Sequence, residues 1–364
     1  MDRSVIRARL SLRSRHASWC LLALVSAAGC SHSEPFQPGN EGPTGPHNST
    51  LPYQLTLSTD QDLSPSRAAD GNWLYAYTER TQGLINRCLA ELPLDGGART
   101  RSHCDVSLGI PGHYSTLTWP AESQDGRLVY FRTRGVGIGG PQTSAGLMLG
   151  SFATRDSGQL LRAVPYASAH GTVRGITHLH WLDGHTLIYV ATQVEYRCVG
   201  LFCNGLDTLE SGLQIERFDL DHPPAIPDVV PGTDYATSVD PDADGSGFFY
   251  TIVNDTRVYH RTVATARVDT VYDWGGLGIA RDVQVSDSVL YAVVGGSVSP
   301  DTAATGIQVD HGGVLRRVDL RTGTTSLVDV GGILVRHPSL NAGKHRIVAE
   351  STDPAVDLWL AVAP

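Results

Sequence analysis

Beyond residue 50, short apolar runs alternate with polar turns, and the same unit recurs along the chain. A tight turn followed by an apolar, β-branched or aromatic run appears as DGNWLYAYT from Asp70, DGRLVYFRT from Asp125, DGHTLIYVAT from Asp183 and DGSGFFYTIV from Asp244. Two degenerate copies follow, SDSVLYAVV from Ser286 and AGKHRIVAES from Ala342. Asp-Gly supplies the positive φ that a two-residue hairpin turn requires, and the run after it reads as a buried strand. Tyr75, Tyr130, Tyr189, Tyr250 and Tyr291 mark the units at spacings of 55, 59, 61 and 41 residues, and the run at Ile347 comes 56 residues later. Periods of this length predict propeller blades rather than solenoid coils. No long segment of helical period follows residue 30, so almost no helix is expected.

Each unit continues into a second hairpin with alternating positions, such as CLAELPLDGGARTRSHC from Cys88 or GVLRRVDLRTGTTSLVDV from Gly313. Alternation sends one set of side chains into the space between sheets and the other outward. Four strands per unit is the blade pattern. The expected fold is therefore all-β: a six-bladed β-propeller of four-stranded blades occupying residues 51–364, with seven blades the alternative if the long third unit hides a divergent one. The last unit lacks a strand, whereas 51–58 (LPYQLTLS) is a strand without a unit. We expect that N-terminal strand to close the ring, because closure removes the exposed edges of an open array.

The turn-plus-strand cores, together with the Asp319–Gly323 hairpin turn, resemble the TolB-like, WD-repeat-like propellers of bacterial envelopes. The resemblance covers roughly residues 51–364 as repeats and departs where the turn is Asp-Ser or Ala-Gly in the last two units. It implies architecture more than activity.

Residues 1–29 read as a targeting segment. Five arginines (Arg3, Arg7, Arg9, Arg13, Arg15) precede a short apolar stretch, WCLLALV, which is too short to span a bilayer. Ala27-Ala28-Gly29-Cys30 follows and resembles a bacterial lipobox, which implies lipidation of Cys30 and cleavage before it. Ser31 after the cysteine implies the outer membrane. Several acyl chains, at about 0.8 kcal/mol per buried CH₂, make a durable anchor. Residues 30–50 are rich in Pro, Gly, Ser and Asn and read as a flexible tether. Removing 1–29 takes away five Arg and one Asp, so 23 basic and 36 acidic residues remain and the net charge falls from −9 to −13. An acidic body argues against nucleic acid as a partner.

Export permits disulfides. Cys88 and Cys104 are equidistant from Gly96 and face each other if 88–104 is a hairpin. Cys198 and Cys203 close the loop CVGLFC, whose apolar tip suits protein contact. Aligning the units on their first turn brings His178, Asp282 and His337 to one level of the innermost strands. His180, Gln284, Ser339, Thr118 and Arg67 fall two residues on. His178 and His180, at i and i+2 on one face of T-H-L-H-W, form a transition-metal donor set if a distant carboxylate joins them, while polar channel lining is the plainer account of the same residues. Asp240, Asp242 and Asp244 resemble the start of a calcium loop, yet Thr251 stands where the bidentate acid belongs and Asp-Gly is needed there for the turn. No G-x-S-x-G elbow, P-loop or dinucleotide fingerprint occurs.

These features predict an envelope-anchored lipoprotein with a ligand-binding or protein-scaffolding role, without a cofactor, meeting an envelope protein or a small polar ligand at a channel mouth formed around His178, His180, Asp282 and His337. The alternative is a propeller enzyme, a metal-assisted hydrolase or lyase, with its site at that mouth.

Overall fold

A computed structural model describes residues 50–363, apart from 57–60, 82–83, 106–112, 137–141, 154–157, 200–204, 225, 296–297, 301–307, 311 and 353–355. Cys30, the targeting segment, the tether and Cys203 lie outside the described residues, as does the side chain of Cys198. The described chain is all-β with no α-helix, and only two single 3₁₀ turns interrupt the strands. No helix among the described residues is long and apolar enough to cross a membrane.

The strands assemble as a β-propeller of antiparallel meanders. Four sheets are separate and four-stranded. They begin with the strands Gly175–Trp181, Ala236–Pro241, Ala280–Ser286 and Val335–Asn341. The strands from Asp62–Arg67 to Gln159–Val164 run as one eight-stranded sheet rather than two separate ones. A single parallel pair, Arg87 with Thr116, joins its two halves. The strand expected from 51–58 is short. Tyr53–Gln54 pairs antiparallel with Leu358–Val362, Tyr53 opposite Leu360, and the Leu55 N–H continues the ladder by donating to the Leu358 carbonyl at 2.7 Å.

The first strands of successive units neighbour one another in chain order, and Val335–Asn341 lies against Asp62–Arg67. Six apolar clusters among the described residues fill the spaces between consecutive units. The cluster of Leu55, Trp73, Tyr75, Val348 and Leu360 packs the last strands against the first. The recurring tyrosines are the reason for the repeat. Tyr75, Tyr130, Tyr189, Tyr250 and Tyr291 are all buried between sheets, and a buried side chain of this size contributes about 1.5–3 kcal/mol relative to exposure.

The turns behave as their residues dictate. Gly71, Gly126 and Gly245 take φ of +91°, +81° and +71°. In the degenerate copies the left-handed position falls instead to Asp287 (φ +52°) and His345 (φ +52°). Cys88 and Cys104 form a disulfide with Cα atoms 4.6 Å apart, one pair beyond Leu89 opposite His103 in the expected hairpin.

Candidate functional site

The innermost strands are not regular. Bulges interrupt the ladder between Leu63 and Ser66, Thr118 and Ala121, Thr177 and His180, Ala280 and Val283, and Arg336 and Ser339. Four of these bulges hold a non-glycine residue in the left-handed region: Ser64 (φ +53°), Trp119 (φ +54°), His178 (φ +48°) and His337 (φ +46°). A bulge bends the strand and re-aims a side chain. Such backbone costs roughly 1–3 kcal/mol per residue and persists only where the surroundings impose it.

The re-aimed side chains meet. His178 donates its Nε2–H to Asp282 Oδ1 at 2.7 Å, while the His337 backbone N–H donates to Asp282 Oδ2 at 2.9 Å. The strands carrying His178 and Asp282 are not neighbours, because Ala236–Pro241 lies between them in the order of contacts. The bond therefore links two first strands that are not adjacent, past the one between them. Trp119 packs against both imidazoles, with ring centroids 4.6 Å from His178 and 4.7 Å from His337. The two imidazoles lie 5.4 Å apart, edge to face. One ligand atom from each of His178, Asp282 and His337 falls within 4.8 Å of the others, the one such grouping of at least three His, Cys, Asp or Glu among the described residues.

Glu350 completes the cluster from the second strand of its sheet. It accepts hydrogen bonds from the Ser64 N–H and from Arg336 Nε (2.9 Å). Its Oε1 lies 3.1 Å from His337 Nδ1, too poorly aligned for a good hydrogen bond. Burial works to lower the pKa of His337, but the carboxylates of Glu350 and Asp282 overcome it and hold it up at about 9. Burial lowers His178 despite its bond to Asp282, so that imidazole is neutral. Burial would raise both acids. The adjoining imidazoles nonetheless hold Asp282 well below the carboxylate range, and His337 and Arg336 lower Glu350.

Above this cluster lies a cavity of about 20 Å³, lined by His178, His180, Gln284, His337 and Ser339 with Ser66 and Trp119. That is room for about one water or an ion. Burial, reinforced by the neighbouring His178, holds His180 down at about 3, a neutral imidazole at neutral pH.

The structure thus brings His178, Asp282 and His337 together and sets His180 beside them at the cavity. Thr118 and Arg67 do not line it; Trp119 and Ser66 occupy those levels. Asp240, Asp242 and Asp244 each answer to different donors. Asp240 accepts from the Val285 N–H (2.8 Å) and from Gln284 Nε2 (3.2 Å), Asp242 from His260 Nε2 (2.9 Å), and Asp244 from the Ser246 N–H (2.9 Å). Trp119, Ser64 and Glu350 escaped the sequence reading. Ser64-Pro65-Ser66, Trp119-Pro120-Ala121 and His337-Pro338-Ser339 share a residue, a proline and a small residue at the bulge, a signal that would have aligned the first two correctly.

No family model and no curated protein matches this chain. Solved structures that resemble it include an oligogalacturonate lyase in complex with manganese, at 14% identity over 85% of this chain and 79% of that one, TM-score 0.47. Others are an oligogalacturonate lyase from Vibrio parahaemolyticus (11%, 85% and 93%, TM-score 0.45) and the β-propeller domain of Cps50 (Swd1) from Myceliophteria thermophila (9%, 86% and 100%, TM-score 0.48). At these values the likeness concerns the propeller fold and nothing beyond it.

Proposed function

We propose that this chain is a lipid-anchored protein of the bacterial envelope whose six-bladed propeller binds a small polar ligand at the mouth of its central channel. The observation that carries the binding role is the convergence of Trp119, His178, Asp282 and His337 from separate first strands, beneath a cavity edged by His180, Gln284 and Ser339. An aromatic face with a few convergent polar groups is a common make-up of small-molecule sites; the cavity of about 20 Å³ admits one polar group of such a ligand, the rest lying outside it at the mouth, and a bulge at each contributing strand is a costly way to line a channel that does nothing. Counting six blades divides the eight-stranded sheet at its single parallel pair. Six inter-sheet clusters and the pairing of Tyr53–Gln54 with the last strand support that count and a closed ring. The anchor rests on the lipobox-like Ala27–Cys30 segment.

Thermal melts of the full chain in excess EDTA, with a panel of monosaccharides, amino acids and carboxylic acids at millimolar concentration, test the binding role. At 100 times Kd a ligand adds about 2.7 kcal/mol. At least one class should raise Tm, with most of the gain lost in His180→Ala. No response from any class, or an equal response in the variant, would leave the scaffolding role. Labelling with radioactive palmitate tests the anchor: wild type should take up label and Cys30→Ser should not.

A metal-assisted hydrolase or lyase is the second reading, favoured by the meeting of two imidazoles with a carboxylate.

A further inference from the structure

We propose that His178, Asp282 and His337 hold one divalent transition-metal ion at the centre of the propeller; this rests on the reading of the channel as a binding site and names one thing it binds. Two imidazoles and one carboxylate suit the zinc, cobalt, iron and manganese class, whereas calcium and magnesium prefer oxygen donors alone. Ligand atoms about 2.1 Å from a tetrahedral ion lie about 3.4 Å from one another. Those of the three residues already fall within 4.8 Å, and His178 Nε2 stands 2.7 Å from Asp282 Oδ1; on binding, the His178 ring carries its proton on Nδ1 instead, where Thr177 Oγ1 lies at 3.3 Å to accept it. Small side-chain rotations close the set around an ion without moving the sheets.

The surrounding contacts orient the ligands as metal sites require. A metal-bound imidazole usually directs its second nitrogen to a carboxylate that is itself held in place. His337 Nδ1 faces Glu350 Oε1 at 3.1 Å, and Glu350 is fixed by Arg336 Nε and the Ser64 N–H. That leaves His337 Nε2 as the ligand atom. It also accounts for a buried Nδ1 without an aligned partner, because a ring drawn toward an ion rotates. Asp282 Oδ2 is occupied by the His337 backbone N–H, so Oδ1 is the oxygen left for the ion.

The fourth side is open. The water-sized cavity reaches both histidines and His180 borders it. Three protein ligands plus one exchangeable position is the arrangement of metal sites that act on a ligand rather than only stiffening the fold.

The test is a Co²⁺ titration of the chelator-stripped full chain, free of any histidine tag, read by visible absorption and by elemental count after dialysis. One Co²⁺ per chain is expected, with d–d bands, displaced by Zn²⁺. His178→Gln and His337→Gln should each weaken binding at least 100-fold, and Glu350→Gln by 10–100-fold, the range for outer carboxylate partners. Circular dichroism confirms that the variants fold. If a variant does not, paramagnetically shifted ring protons in wild-type Co²⁺ protein decide, and two histidines are expected. Folded wild type without stoichiometric Co²⁺, binding undiminished in both histidine variants, or no shifted histidine signals would overturn the proposal. If Co²⁺ fails to bind while an organic compound still raises Tm through His180, the metal falls and the channel reading stands; if neither acts, both fall.

Discussion

Asp240 is a buried acid that the fold disfavours when charged. It sits on the first strand Ala236–Pro241, 8% exposed, and joins that strand to the next through Val285 N–H and Gln284 Nε2. Burial raises its pKa from the ordinary 3.8 to about 7, with Asp242 adding to the effect and Arg67 and the two hydrogen bonds opposing it. Below 3.8 both folded and unfolded chains hold the proton, and the full stability is present. Between 3.8 and 7 the folded chain retains a proton that the unfolded chain has released, so stability falls by about 1.4 kcal/mol per pH unit. Above 7 the loss is complete at about 4 kcal/mol, of which roughly 2–3 kcal/mol falls between pH 5 and pH 8. Asp240→Asn removes the titration. Its carbonyl still accepts the Val285 N–H, but its amide meets Gln284 Nε2 donor to donor, a loss of about 1 kcal/mol. The variant should therefore be less stable than wild type by about 1 kcal/mol at pH 4 and more stable by about 2–3 kcal/mol at pH 8. Urea titrations of both proteins at pH 4, 5 and 8 measure the gap. A gap that stays within about 0.5 kcal/mol across that range would refute burial as the governing influence on this carboxyl.

Three further outcomes follow from packing. Cys88→Ala/Cys104→Ala opens a link between residues 16 apart and should cost about 3 kcal/mol, read by urea denaturation against wild type with and without reductant. Leu55→Ala empties a fully buried position in the cluster that joins the last strands to the first. It should cost 2–5 kcal/mol, and amide exchange should quicken at Leu358 and Leu360 before it does in the sheet 236–273. Trp119→Ala removes the ring that packs both imidazoles and should cost about 3 kcal/mol. Near-ultraviolet circular dichroism should keep its other aromatic bands, and their collapse would show that Trp119 holds the sheets themselves.

The architecture was legible because it rests on local chemistry. An Asp-Gly turn and an apolar run recur at blade-length intervals, and each tyrosine of the run is buried where the repeat places it. The site was legible in part. His178, Asp282 and His337 share a level because the units were aligned on their turns. Counting from those turns misplaced Thr118 and Arg67, however, because the bulges insert residues that alternation does not anticipate. Trp119 meets the two imidazoles through a left-handed backbone that alternation does not anticipate. Glu350 lies on a second strand, and only the contacts of the folded chain bring it to His337. The joining of the first two units into one eight-stranded sheet is likewise invisible in sequence, since one backbone pair decides it.

The pairing of Tyr53–Gln54 with the last strand also sets an order of events during folding. Gln54 Nε2 donates to Asp357 at 2.7 Å across 303 residues, whereas the hairpins within each unit close over a handful. Loop closure over such a span costs about 3 kcal/mol more than over a 16-residue hairpin, and contacts of long sequence separation form slowly. The meanders between can assemble from their own hairpins, but the sheet that begins at Val335 waits for both ends of the described chain. Until they meet, the edge of Leu358–Val362 is unpaired and the apolar face of Trp73 and Tyr75 lacks its cover. That interval is when this chain is most exposed to aggregation. A slow final folding phase, sensitive to Leu55→Ala and insensitive to changes in the sheet 236–273, is its kinetic signature.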